Sequence, residues 1–305
     1  MQNNGIAENR PSAALYQIAP DVNMLLNCYV IKTKNGKLIV IDGGGAGSPD
    51  SNGYLYGQLQ KISGREIPEI EAWILTHLHD DHVNEFIIIA NDESKKIKVK
   101  NIYLNAPSRQ FMQRAENGRF AYLYDDVKKA YDIFTEPGAF DKIHGKSVFK
   151  GDVINIDGIT LEILLTVSDE CTEDNINDTS LIFRADIEGQ TVLFLGDAYI
   201  PEGNRLLDEY GAGIKSDVVQ MAHHGQNGVT RQVYETVEPK ICLWPTPIWV
   251  YNNADGIYQT TLVRQWMTDM GVKYHYIASK GLIQTLSFPI DYSTLEENDI
   301  SPNKN

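Results

Sequence analysis

Short apolar runs of strand length, separated by turn residues, recur along most of the chain. Cys28–Lys32 and Lys37–Ile41 flank Lys34-Asn35-Gly36, and an Asn-Gly turn between two such runs predicts a hairpin. Trp73-Ile74-Leu75 reads as a buried strand. Val153–Ile156 and Leu161–Leu165 turn at Asp157-Gly158, and Ser180–Phe183 and Thr191–Leu195 are bridged by Glu188-Gly189. Further strands are predicted at 217–220, 241–244, 273–278 and 282–287, and helices at about 53–63, 201–210 and 259–270. A longer stretch, about 108–136, rich in Tyr, Phe and charge, reads as a helical insertion. Strands in two blocks, each followed by helices, predict an α/β fold of two mixed sheets packed face to face with outer helices, an αββα sandwich. No Pro/Gly/Ser-rich linker divides the chain. The expected organisation is a loose, disordered N-terminus at 1–12, one domain at 13–288, and a polar, disordered tail at 289–305.

Composition narrows the class. The 305 residues are 42% hydrophobic and 22% charged, as in ordinary soluble globular proteins. No apolar run reaches the roughly 18 residues that span a bilayer. The polar N-terminus shows no basic segment followed by an apolar one, so a cytoplasmic location is expected, with an exported form lacking its leader as the alternative. Cys28, Cys171 and Cys242 are odd in number and widely spaced, which fits reduced thiols better than a disulfide framework. A net charge of −14 disfavours nucleic acid as a partner, since phosphates are met by Lys and Arg. The oligomeric state is not set by these features.

The chemistry concentrates in Thr76-His77-Leu78-His79-Asp80-Asp81-His82. If the chain leaves the Trp73 strand extended, His77 and His79 point the same way. Asp81 and His82 follow at a predicted helix start, where a carboxylate suits the unpaired N–H groups. Imidazole and carboxylate so close together suit Zn, Mn or Fe. Asp80 is the spare: it either orients a ligand or caps the helix. Asp197 ends an apolar strand, where a carboxylate is costly unless paired or metal-bound. His223 and His224 are adjacent at another strand end, so one is placed to bind metal while its neighbour faces the substrate.

His77-x-His79-x-Asp81-His82 resembles the HxHxDH signature of the metallo-β-lactamase superfamily. Ile41-Asp42-Gly43-Gly44 before it, Leu195-Gly196-Asp197 after it and Ala222-His223-His224-Gly225 later match in order, from about residue 25 to about 287. The resemblance implies two divalent metal ions, Zn or Mn with Fe as a third option, with Asp197 bridging them and His224 as the far-side ligand. His223 is then a hydrogen-bond donor to substrate or a proton shuttle. Many members carry a further histidine before a strand; here that place reads Asn175-Ile176-Asn177-Asp178-Thr179-Ser180-Leu181. Asn177 or Asp178 fills the role, or the site lacks that ligand. Asp178 is the expected one, because a carboxylate brings a full charge to a cation. His144 and His275 fall outside the pattern and read as ordinary histidines.

This version of the motifs resembles the hydrolase domain of bacterial competence (DNA-uptake) proteins and the phosphorylcholine esterases, which implies phosphoester chemistry. The expected metal ligands are His77, His79, Asp81, His82, Asp178, Asp197 and His224, with Asp81, His223 and Asp80 in catalysis. The expected reaction is hydrolysis of a phosphodiester or related small-molecule ester by a metal-bound hydroxide. A lactonase or thioesterase, and a non-catalytic domain that only holds metal, are the alternatives. Tyr122, Tyr124, Trp244 and Trp249 are candidates for the pocket wall.

Overall fold

The structure, a computed structural model, describes residues 12–20, 24–45, 53–91, 94, 96–118, 121–136, 138, 143–168, 175–253, 256–278 and 283–302. Two sheets organise them. The first runs in the order β15 (Ile283–Phe288), β1 (Ala13–Ile18), β2 (Cys28–Lys32), β3 (Leu38–Asp42), β4 (Glu69–Ile74), β6 (Ile102–Leu104) and β7 (Gly145–Ser147), with β5 (Lys98–Val99) also on β4. The second runs β14 (Tyr274–Ile277), β13 (Ile241–Trp244), β12 (Val218–Gln220), β11 (Gln190–Phe194), β10 (Ile182–Ile187), β9 (Ile159–Leu165) and β8 (Val153–Ile156). Each sheet is antiparallel in one half and parallel in the other.

Side-chain alternation builds the layers. Tyr29, Ile31, Ile39 and Ile41 point inward against Leu161, Ile163, Phe183 and Phe194 of the other sheet. Their neighbours Cys28, Val30, Leu38 and Val40 point outward, under helices α1 (Tyr54–Ser63), α2 (Asp80–Asn91), α3 (Arg109–Glu116) and α4 (Tyr124–Thr135). Leu193, Leu195, Val219 and Cys242 pack outward against α5 (Ile200–Tyr210), α6 (Arg231–Val237) and, after the short α7 (Ile248–Tyr251), α8 (Thr260–Asp269). Strands buried on both faces read as continuous apolar runs, and the result is the expected αββα sandwich. The turns follow their chemistry: Asp157-Gly158 and Glu188-Gly189 both hold φ > 0 at each central residue, as tight hairpins require.

Two elements differ from the sequence reading. β1 lies between β2 and β15 although no strand is predicted at Ala13–Ile18; its buried Gln17 donates from Nε2 to the Trp244 and Tyr276 carbonyls and to Gln284 Oε1. The segment after Phe288, expected to be loose, is held through residue 302: Arg264 donates to the carbonyls of Ile300 and Ser301, Asn298 pairs with the His275 backbone, and the Ile300 side chain is buried. Its polar composition hides a strap whose polar groups are spent on the domain. Residues 1–11 and Cys171 lie outside the described residues, while Cys28 and Cys242 are buried free thiols. Among the described residues, no helix is long and apolar enough to cross a membrane.

Candidate metal centre

Four chain segments converge at one end of the sandwich. The first is the end of β3, where Asp42 takes φ 53° and Gly43 and Gly44 follow. A Cβ on Gly44 would sit 2.1–2.3 Å from backbone atoms of Asp80, Asp81 and His82, so only glycine lets this loop touch the start of α2. Asp42 is fully buried. Its carboxylate accepts from Thr76 N (2.7 Å), Thr76 Oγ1 (2.7 Å) and Asn27 Nδ2 (2.7 Å), and lies 2.8 Å from His82 Nδ1. It thereby fixes the imidazole and turns His82 Nε2 into the site.

The second segment runs from β4 into α2. His77 Nε2 and His79 Nδ1 face each other at 3.1 Å. Asp80 Oδ1 accepts from Asp81 N at 2.9 Å, so Asp80 caps the first turn. Asp81 and His82 point inward and are buried. The third segment is the turn after β11. Gly196 takes φ 56° against Ser180, and Ser180 Oγ accepts from Asp197 N at 3.0 Å.

The fourth is the turn Ala222–Gly225 after β12. His223 and His224 both take left-handed backbone conformations, at φ 48° and 55°, each costing about 1–3 kcal/mol. The surroundings impose them: Ala222 N donates to Tyr234 Oη, His223 N to Gly196 O, and Thr246 Oγ1 to His224 O. Trp244 packs beneath Gly225. His224 Nδ1 donates to Pro245 O (2.7 Å), which aims Nε2 at Asp81 Oδ2 (2.9 Å) and Asp197 Oδ2 (3.4 Å). His223 Nδ1 donates to Asn227 O (2.6 Å); its Nε2 stays at the half-buried rim, 4.0 Å from Asp197.

Asp81, His82, Asp197 and His224 thus each offer a ligand atom, all within 4.8 Å of one another. The group fits a metal. His82 Nε2 and Asp197 Oδ1 are buried 3.2 Å apart with no hydrogen bond to any other group among the described residues, and His79 Nε2 is buried without a hydrogen-bond partner there. The 3.1 Å between His77 and His79 nitrogens suits two donors on one ion, which lie about 3.0–3.4 Å apart at ordinary bond lengths. Electrostatics agree. Burial alone would raise the Asp81 and Asp197 carboxyls, but His82 and His224 outweigh it and hold both well below the usual range. Burial opposes charge on His82 and His224 too; Asp197 and its neighbouring carboxylates raise them nonetheless, His224 to about 10. The buried carboxylates therefore demand compensating positive charge, which a divalent cation supplies. Burial lowers His77 well below its ordinary value and His79 to about 4, leaving neutral imidazoles with lone pairs to give.

Asp178 stands apart from the four-residue group: its Oδ1 accepts from Tyr199 N at 3.3 Å. Asn177 lies in the same buried turn, Ile176–Thr179. Of the wall candidates, Trp244 belongs to the core, fully buried with Nε1 donating to His275 Nδ1. Tyr122 is 77% exposed, Tyr124 starts α4, and Trp249 packs on Tyr258. His144 sits in an exposed turn, and His275 is tied to the Val272 carbonyl. Asp42, quoted in the sequence only as motif context, is the residue that composition and spacing missed; the Asp-Gly-Gly run at a strand end was its only signal.

An αββα sandwich with a histidine–aspartate centre at the ends of its strands defines a class. The family model described as Metallo-beta-lactamase superfamily matches residues 25–240, and the chain belongs to that superfamily. It is 22% identical over 184 residues to ComE operon protein 3 of Bacillus subtilis (strain 168), an alignment spanning 60% of this chain and 20% of that protein. Among solved structures, the metallo-beta-lactamase fold protein YhfI from Bacillus subtilis is similar, with a TM-score of 0.52, 13% identity, and coverage of 90% of this chain and 99% of that one. CmlA, a diiron beta-hydroxylase from Streptomyces venezuelae, is similar with a TM-score of 0.55 and 11% identity, over 91% of this chain and 54% of that one. These last two likenesses concern the fold.

Proposed function

We propose that the chain is a metal-dependent hydrolase acting on a phosphodiester or related ester. The observation that carries this is the buried Asp81, His82, Asp197 and His224 group beside the His77–His79 pair, with the four ligand atoms drawn within 4.8 Å of one another and His223 at the rim. These six residues would hold two divalent ions, with Asp197 central. The ions, when bound, supply a nucleophilic water at neutral pH and offset charge growing on the phosphoryl oxygens.

The remaining work falls to the chain. Asp42 and the Pro245 carbonyl hold His82 and His224 in one orientation each. His223, its Nδ1 proton held by the Asn227 carbonyl and its charged form opposed by burial, presents the Nε2 lone pair at the rim, where it takes up a proton from the attacking water and hands it on to the leaving oxygen. Asp80 caps the helix that carries Asp81 and His82. The likeness to ComE operon protein 3 supports the competence-protein side of the resemblance.

Metal analysis of the purified chain, beside a panel of chromogenic phosphomonoesters, phosphodiesters, lactones and thioesters, tests the reading. Two ions per chain with diesterase turnover is the expected result. Turnover confined to lactones or thioesters overturns the substrate class, and metal without any turnover favours a binding domain.

A further inference from the structure

The turn Ile176–Thr179 occupies the place where the superfamily resemblance points to one more metal ligand, and it also borders Tyr199. Asp178 Oδ1 accepts from the backbone N of Tyr199. The Asn177 side chain lies beside the Tyr199 hydroxyl. The turn itself is rigid: Asn175 Oδ1 accepts from Asn177 N, Asp178 N donates to Asn175 O, Ser180 N to Asn177 O, and Thr179 Oγ1 to Ile176 O.

Tyr199 stands two residues past Asp197, at the cap of α5, in extended backbone. Its ring lies 4.8 Å from that of His223, the rim histidine. Its side chain is half-buried and feels the charge of the nearby Asp197 carboxylate. A tyrosine kept only for packing needs no brace on its hydroxyl side. Here the backbone N is held by the buried Asp178, and the hydroxyl has the buried Asn177 beside it. A phenol is an uncharged donor at neutral pH, suited to an anionic oxygen beside a carboxylate that would repel it.

We infer that Tyr199 is a substrate-contacting residue, donating a hydrogen bond from its hydroxyl to a charged oxygen of a phosphoester held between His223 and the metal-ligand group. The inference rests on the phosphoester reading above. Asn177 and Asp178 act through it as positioning residues.

The test uses the metal-loaded full chain and inorganic phosphate as probe, with affinity read by calorimetry and metal content by elemental analysis. Tyr199→Phe keeps the ring against His223 and removes only the hydroxyl. It should weaken phosphate about 10- to 100-fold, the range of one hydrogen bond to a charged group, at unchanged metal content. Asn177→Ala should give a smaller loss in the same direction. Unaltered phosphate affinity in Tyr199→Phe overturns the inference and leaves the metal-centre reading standing. If the wild-type chain carries its metals but binds no phosphate, the phosphoester reading fails and this inference with it. Loss of metal from Tyr199→Phe also overturns it, since the tyrosine would then serve the metal centre.

Discussion

Asp42 and His82 meet at 2.8 Å across forty residues of chain, and neither exposes any surface to solvent. The contact joins the end of β3 to the first turn of α2, so the imidazole is set by the sheet rather than by its own helix. Asp42→Asn keeps the shape but places an amide where the His82 Nδ1 proton needs an acceptor. The expected outcome is about a 10- to 100-fold loss in metal affinity, measured by competition with a chromophoric chelator. Unchanged affinity would mean that His82 is positioned by packing alone.

The histidine pair should separate by metal count. His224→Ala is expected to lose one ion per chain, because its Nε2 faces both Asp81 and Asp197. His223→Ala should keep its metal and lower turnover by about 100- to 10,000-fold, the usual worth of a general acid. The reverse pattern in elemental analysis would exchange the two roles.

Gly44 tests the loop that makes the Asp42 contact. A methyl group there must push on the α2 backbone at 2.1–2.3 Å, not on a side chain that can swing away. Gly44→Ala should destabilise by about 3 kcal/mol, the upper end for overpacking, and weaken metal binding along with it. Chemical denaturation curves of both proteins decide this; a difference within error means that the loop moves freely.

Glu202 gives the fold a pH dependence of its own. The side chain is buried in α5, and burial raises its carboxyl from the ordinary 4.5 to about 7, against the pull of the Arg205 guanidinium at 2.6 Å. Between those values the folded chain holds a proton that the unfolded chain has released. This contribution to stability is therefore complete below pH 4.5, declines as pH rises, and is gone above 7. Glu202→Gln should flatten the fall in melting temperature across that window. A slope equal to wild type would assign it to other groups.

Removal of metal should be felt by the whole sandwich. Asp81 and Asp197 are buried carboxylates drawn from α2 and the β11 turn, and bound ions stabilise only the folded arrangement. A melting temperature that drops on chelation and recovers with added Zn or Mn is expected. No shift in either direction would argue against a centre that spans the two sheets.

Much of this was legible in the order of residues. His77, His79, Asp81 and His82 fall within six positions, so local chain geometry brings them together before any tertiary contact forms. Both sheets showed as runs of apolar residues broken by Asn-Gly, Asp-Gly and Glu-Gly turns. Asp42 was harder, because its meaning lies in partners at 27, 76 and 82 that only the folded sheet assembles. For Asp178 the order of residues gives the place but not the direction of the carboxylate, one oxygen of which accepts from the Tyr199 backbone. Ala13–Ile18 was missed because it opens on two alanines, weak strand formers, and carries Gln17 inward, and the final strap because polar residues look solvated until Arg264 and His275 are seen to hold them.

The place of β1 bears on how the molecule is assembled in time. Its two neighbours differ greatly in distance along the chain: β2 follows closely, whereas in the pairing with β15 Gln17 and Gln284 are 267 positions apart. Until Ile283–Phe288 arrives, β1 presents a row of open backbone donors and acceptors beside apolar side chains, the arrangement most prone to pairing with a second chain. Contacts so distant also slow the search for the native topology. The growing chain therefore carries an adhesive edge from the synthesis of β1 until that of β15, and yield in a host cell should depend on how well that edge is chaperoned.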